Sequence, residues 1–240
     1  MRAAAAAARQ RLSKRVRRRY QAGRQSLGLQ TWGTKSFEFW TLLSSALWIV
    51  RPRSILELGS GRSTTYLGDY AQKEGISFAS IEQNRRFAYR MRLSLRAGFV
   101  DPGYVHHVPI RGRWYDLGRV QSLAPRPCEL LFLDGPVGQQ ESLGPGQRTD
   151  HAAVRWLHSL AADVRLLVVD DLQRLANVGL ADSLAAAGGL EPLYLDYRPR
   201  PGARNVVMLA VAPAHAQILH SVCSEAGVAV YRDPSLVGAS

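Results

Sequence analysis

Between Ile55 and Thr64 the chain reads Ile55-Leu56-Glu57-Leu58-Gly59-Ser60-Gly61-Arg62-Ser63-Thr64, and no other stretch restricts the fold as strongly. An apolar run of strand length ends beside an acid, two glycines bracket a serine, and small hydroxyl residues follow. The glycines allow a tight turn and let a ligand approach the backbone, because no Cβ stands in the way. Strand, turn and helix start together aim backbone N–H groups at a nucleotide-like ligand. The third glycine of the dinucleotide fingerprint is missing, since Thr64 stands there. That departure argues against a pyrophosphate-containing cofactor and leaves room for a ligand without phosphates.

Downstream, strands and helices alternate. The pattern predicts strands over 54–58, 78–82, 104–110, 129–134, 165–170, 192–197 and 205–211. Helices are expected over 36–50, 63–73, 85–97, 149–161 and 172–187, with Thr149 or Asp150 capping the fourth and Gly188-Gly189 ending the fifth. The fourth and fifth strands are apolar up to their terminal acids, as strands buried on both faces are. The last two should pair antiparallel. The fold expected is therefore α/β, a doubly wound, mostly parallel, seven-stranded Rossmann-like sheet with one antiparallel edge strand. It forms a single domain over 36–240 behind a basic extension, 1–35.

Ligands of such sheets bind at the carboxyl ends of the strands. Four predicted strands end in acids, Glu57, Glu82, Asp134 and Asp170-Asp171, so five of only 19 acids gather on one rim. Glu82 lies 21 residues past Gly61, where a carboxylate can accept both hydroxyls of a ribose. It also reads as a surface glutamate ending a strand. Glu57 reads two ways as well, bonding the glycine turn or a ligand's amino group. One of Asp170 and Asp171 is equally suited to capping the next helix. With Asp134 they make an all-oxygen cluster fit for Mg²⁺ or another hard divalent cation.

The segments Glu57 to Gly61, Ile81-Glu82, Leu131 to Pro136 and Val168 to Asp171 occur in the order found in class I S-adenosylmethionine (SAM)-dependent methyltransferases, which the chain resembles over about residues 36–212. The resemblance implies SAM as cofactor, held by Glu57, Gly59, Ser60, Gly61, Ser63, Glu82 and Gln83. Asp134, Asp170 and Asp171 look like the metal ligands of metal-dependent O-methyltransferases. The Asp134-Gly135-Pro136 triplet, with Trp114-Tyr115-Asp116 upstream and Arg174 downstream, is closer to bacterial and glucuronoxylan-type enzymes, and a Gly/Pro-rich insertion runs from Gly135 to Gly146. Asp134 is the expected general base or metal ligand, with His106, His107 and His151 as alternatives. Arg148 and Arg174 are candidates for holding an acidic acceptor, or for pairing with the aspartates. Trp114 and Tyr115 suit either an adenine platform or a core anchor.

Net charge is +12, but residues 1–35 hold ten of the 31 Lys and Arg and no acid. The body is nearly neutral, and the basic character belongs to the extension. That extension reads as a solvated tail, as a contact for nucleic acid, an anionic membrane or an acidic partner, or as a mitochondrial targeting segment. Cys128 and Cys223 are too few for a disulfide framework, so a reducing, cytoplasmic setting is expected. The longest apolar stretch, Phe39 to Val50, is too short to span a bilayer. The expected activity is O-methylation of a small molecule or a sugar or glycan hydroxyl. Alternatives are an RNA- or protein-directed methyltransferase docking through the tail, and a nucleoside-binding protein without catalysis. No amino-methylating Asn-Pro-Pro-Tyr type motif follows the fourth strand.

Overall fold

The computed structural model describes residues 37–135, 151–172, 178–200 and 203–232. The expected extension over 1–35 and nearly all of the Gly/Pro-rich insertion lie outside these residues. Among them the order is α1 (Phe37–Val50), β1 (Ser54–Leu58), α2 (Arg62–Glu74), β2 (Ser77–Glu82) and α3 (Arg85–Ala97). Then come β3 (Val105–His107), β4 (Ile110–Arg111), β5 (Trp114–Tyr115), α4 (Leu117–Leu123), β6 (Leu130–Leu133) and α5 (His151–Ala161). β7 (Leu166–Val169), α6 (Val178–Ala187), β8 (Glu191–Arg200), β9 (Ala203–Val211) and α7 (Pro213–Glu225) complete the chain.

Seven strands form one sheet in the order β3-β2-β1-β6-β7-β9-β8. β3, β2, β1, β6 and β7 pair parallel, and β9 runs antiparallel to both its neighbours. The expected doubly wound, Rossmann-like architecture is thus present. The chain leaves β1 for β2 on one side and later returns to place β6 on the other. The crevice at this reversal is where such sheets take ligands.

Strand residues alternate between two cores. Ile55, Leu130, Phe132, Leu166 and Val168 face α1, α2 and α7, while Leu56, Leu58, Leu131, Leu133, Leu167 and Val169 face α5 and α6. Helices cover both faces, so β6 and β7 have no residue that solvent would let be polar. Truncating one of these side chains to alanine costs about 2–5 kcal/mol. Local signals set the helix ends. The Asn84 side chain accepts from the N–H groups of Arg86 and Phe87, and Gly75, at φ 66°, closes α2 in a left-handed cap.

Several elements depart from the pattern, among them the short helix α4, which was not expected. The expected strand over 104–110 is only Val105–His107, and Ile110 instead starts a hairpin with Trp114–Tyr115 turned at Gly112, φ 67°. The helix expected from Leu172 is described from Val178. A closing helix, α7, packs Ala216, Leu219 and Cys223 against the sheet, with Pro213 in its first turn. Cys128 and Cys223 are free and buried, which pushes both thiols up to about 12 and leaves them unreactive at neutral pH. Among the described residues no helix is long and apolar enough to cross a membrane.

Candidate functional site

The glycine turn after β1 is locked against the segment after β6. Gly59 adopts φ 95°, where side chains are strained, and a Cβ there would lie 2.7 Å from the Asp134 carbonyl carbon and 2.8 Å from the Gly135 nitrogen. Gly135 is equally confined, with Tyr115 Oη 2.7 Å and Gly59 Cα 2.9 Å from its would-be Cβ. Gly61 differs. Its φ of −165° is ordinary extended backbone, and a Cβ would meet only Asp134 Oδ2 at 3.8 Å and Ser63 Oγ at 3.9 Å. The fold therefore demands glycine at 59, whereas at 61 it leaves open space beside two polar side chains.

Under the turn sits Glu57, fully buried. Its Oε2 accepts from Thr64 Oγ1 and from Ser80 Oγ, each at 2.6 Å. Thr64 Oγ1 in turn accepts the Gly61 N–H at 2.7 Å. Ser80 gives its only proton to Glu57, so Ser60 Oγ, 2.8 Å away, donates to Ser80. Glu57 thereby ties the turn to β2 and to the first turn of α2. Neither Thr64 nor Ser80 is among the site residues expected from the sequence. A serine inside the apolar run Phe78 to Ile81 was the available signal, because a buried hydroxyl needs a partner.

Glu82 ends β2 beside the turn. Its Oε1 accepts the Asn84 N–H at 2.7 Å. Burial raises the pKa of the carboxyl group above its usual range, and backbone N–H groups of Asn84, Ser60 and Gln83 oppose the shift. Gln83 Oε1 accepts from Tyr115 Oη at 3.1 Å, and His107 Nε2 lies 3.2 Å from the Gln83 carbonyl. The buried Tyr115 phenol is pushed well up, by burial first and then by Glu82, Asp134 and Glu57. Those three carboxylates from three strand ends thus share one neighbourhood. Tyr115 and Trp114 are core anchors, Trp114 packing edge-on to Tyr115 and Trp156.

Ser63 carries the most informative atom here. It is fully buried at the N-terminus of α2, and its Oγ has no hydrogen-bond partner. Buried hydroxyls are rarely left so. Arg62 Nη1, one residue earlier, is likewise buried and unpartnered, and burial lowers the arginine's pKa.

The other rim acids take a different course. Asp170 is buried and accepts from Tyr197 Oη at 2.9 Å and the Asp171 N–H at 3.0 Å. Asp171, at φ 55°, accepts from Asn205 Nδ2 at 2.7 Å. Asn205 also donates to Tyr197 Oη at 3.2 Å. The expected Asp134, Asp170 and Asp171 metal trio is not assembled. Among the described residues no three His, Cys, Asp or Glu side chains are grouped to hold a metal ion. The physical reason is that strands β8 and β9 supply neutral donors, Tyr197 Oη and Asn205 Nδ2, which hold the aspartate pair by hydrogen bonds from within the protein. Arg148 and Arg174 lie outside the described residues, as does the side chain of His151. His106 is half-buried at the β3 edge, and its pKa is lowered by burial and then by Arg92 and Arg119.

A scan of protein-family models finds no match, and a search of curated proteins finds none either. Among solved structures, the chain is similar to the METTL16 methyltransferase domain, at 11% identity and TM-score 0.48 over 71% of this chain and 66% of that one. It is similar to cofactor-bound Rv0187 from MTB, at 21% identity and TM-score 0.45 over 70% and 77%. An O-methyltransferase from Bacillus cereus in complex with SAH gives 15% identity and TM-score 0.46 over 83% and 90%. These likenesses concern the sheet and its helices, and the residues themselves must carry any statement about function.

Proposed function

We propose that the chain is a SAM-dependent methyltransferase acting on a hydroxyl of a small molecule or glycan, with its cofactor on the turn of residues 59–63. The observation that carries this reading is the open position at Gly61, flanked by Asp134 Oδ2 and the unpartnered, buried Ser63 Oγ. The residues fit such a cofactor. The Ser63 hydroxyl and the first N–H groups of α2 suit an amino-acid carboxylate. Glu82, at the end of the neighbouring strand, is placed for a ribose diol, and Gln83 borders the same edge. When bound, SAM supplies a sulfonium-activated methyl group and leaves as a neutral thioether.

The protein's share is then placement and proton handling. Gly59 and Gly135 hold β1 and β6 together so that the turn cannot drift from Asp134. Asp134, half-exposed at the rim, receives the acceptor's hydroxyl proton as its oxygen becomes the nucleophile. Tyr115, kept protonated, fixes Gln83.

Gly61→Ala is the discriminating variant, since its methyl enters ordinary contact distance and leaves the backbone unstrained. Calorimetry with S-adenosylhomocysteine (SAH) should show affinity falling at least tenfold with melting temperature held, about 1.4 kcal/mol of binding. Unchanged affinity would sink the site. Asp134→Asn should then abolish turnover while SAH still binds.

A further inference from the structure

The edge of the sheet opposite β8 carries a feature that the proposed methyl transfer does not use. Two adjoining clefts, of about 370 and 360 Å³, open between α3, β3 and the region of α4. They share Tyr89, Arg92 and His106; Arg96 lines the first, and Arg85 and Arg119 the second. No acidic side chain lines either cleft, and among the described residues none of these four arginines is ion-paired. The neighbouring acids are committed elsewhere, Asp101 to the Gly103 N–H at 2.8 Å and Asp116 to the Arg119 backbone N–H at 3.3 Å and the Arg111 side chain at 2.9 Å.

On α3 the residues Arg85, Tyr89, Arg92 and Arg96 follow the helical repeat and form one stripe about 16 Å long. That length exceeds a site for one anion. Arg92 is held in place by its Nε–H, which donates to the Val105 carbonyl at 2.9 Å and leaves the guanidinium's remaining donors for a ligand. Tyr89, between the clefts, is 61% exposed, which leaves its ring open to a stacking partner. A row of cations interrupted by an exposed aromatic ring is how proteins track a phosphate backbone and stack a base. A membrane surface would ask for a convex apolar face, whereas here the arginines border concave clefts.

We propose that the groove along α3 and β3 binds single-stranded nucleic acid, with Arg85, Arg92, Arg96 and Arg119 on phosphates and Tyr89 stacked on a base. The second cleft adjoins the proposed cofactor edge, since His107, which lines it, lies 3.2 Å from the Gln83 carbonyl, but none of the five residues assigned to the nucleic acid is one assigned to the cofactor, and the proposal does not depend on the methyltransferase reading.

Fluorescence anisotropy of the full chain with a labelled single-stranded RNA of about ten nucleotides tests it. Arg85→Glu/Arg96→Glu should weaken binding at least tenfold and lower its salt dependence. Arg53→Glu/Arg155→Glu, exposed residues elsewhere, makes the same change in net charge and should have a much smaller effect. Tyr89→Ala, an exposed change safe for the fold, should weaken RNA about tenfold with its salt dependence unchanged, and leave polyphosphate binding untouched. Equal losses in the two charge-reversed variants would overturn the proposal, because binding would then follow net charge alone. So would polyphosphate or phosphatidylserine vesicles binding as tightly as RNA while Tyr89→Ala leaves RNA unaffected.

Discussion

Glu82 shows how one residue trades stability for a site. Its pKa is raised in the folded state, so its contribution to stability is full below the usual carboxylate range and is lost as pH rises through the raised value. At neutral pH the buried charge is a net cost. Glu82→Gln should therefore match or exceed the wild type in denaturant midpoint at pH 7, while SAH affinity drops about tenfold with loss of the charged acceptor. His106 has the opposite sign. Its lowered pKa means that the folded state binds fewer protons, so stability holds above about 6.5 and falls as pH drops below it. His106→Asn should flatten the stability profile below that point. A profile that keeps its slope would show that the ring is not desolvated as described.

At the scale of elements, the strand ends are joined by contacts that no single strand specifies. Gly59→Ala puts a Cβ against the backbone of the β6 segment and strains φ as well, a cost of about 2–5 kcal/mol. Urea denaturation should show that loss, in contrast with the silent Gly61→Ala. The Tyr197 hydroxyl on β8 links Asp170 and Asn205 across β7 and β9. Tyr197→Phe removes a donor from a buried carboxylate and should cost about 1–3 kcal/mol. A neutral result would mean that other donors suffice for Asp170, and that the β8–β9 hairpin is not what fixes the loop after β7.

At the scale of the molecule, the buried hydrophobic residues among those described run from Phe39 to Val230. We expect residues 1–30 to be dispensable for folding and for SAH binding, since Met1, Leu12, Val16, Tyr20, Leu27 and Leu29 are their only large apolar side chains, scattered among nine Lys and Arg. A chain beginning near Gln30 should keep its melting temperature and SAH affinity. A large fall in either would place part of the segment on the body. Because that segment holds most of the excess positive charge, its removal should also weaken non-specific binding to polyanions while leaving the Tyr89 stacking contribution intact.

What the sequence by itself determined was periodic or terminal. The apolar runs of β6 and β7, the glycines at 59 and 61 and the acids at the ends of four strands are local patterns, and local physics reads them. They were enough for the sheet type and for its central strands. Which way each acid points was decided by tertiary structure alone. Glu57 turns inward because Ser80, 23 residues away, waits there with a proton. Asp170 and Asp171 meet Tyr197 and Asn205 instead of a third carboxylate, because an antiparallel strand inserts between β7 and the edge. The arginines of α3 stand in the sequence at helical spacing. Their gathering into a groove required β3 and Arg119, from outside that helix, to close its other side. A hydrogen bond or a cleft needs both partners in place, and their separation along the chain carries no periodic signal.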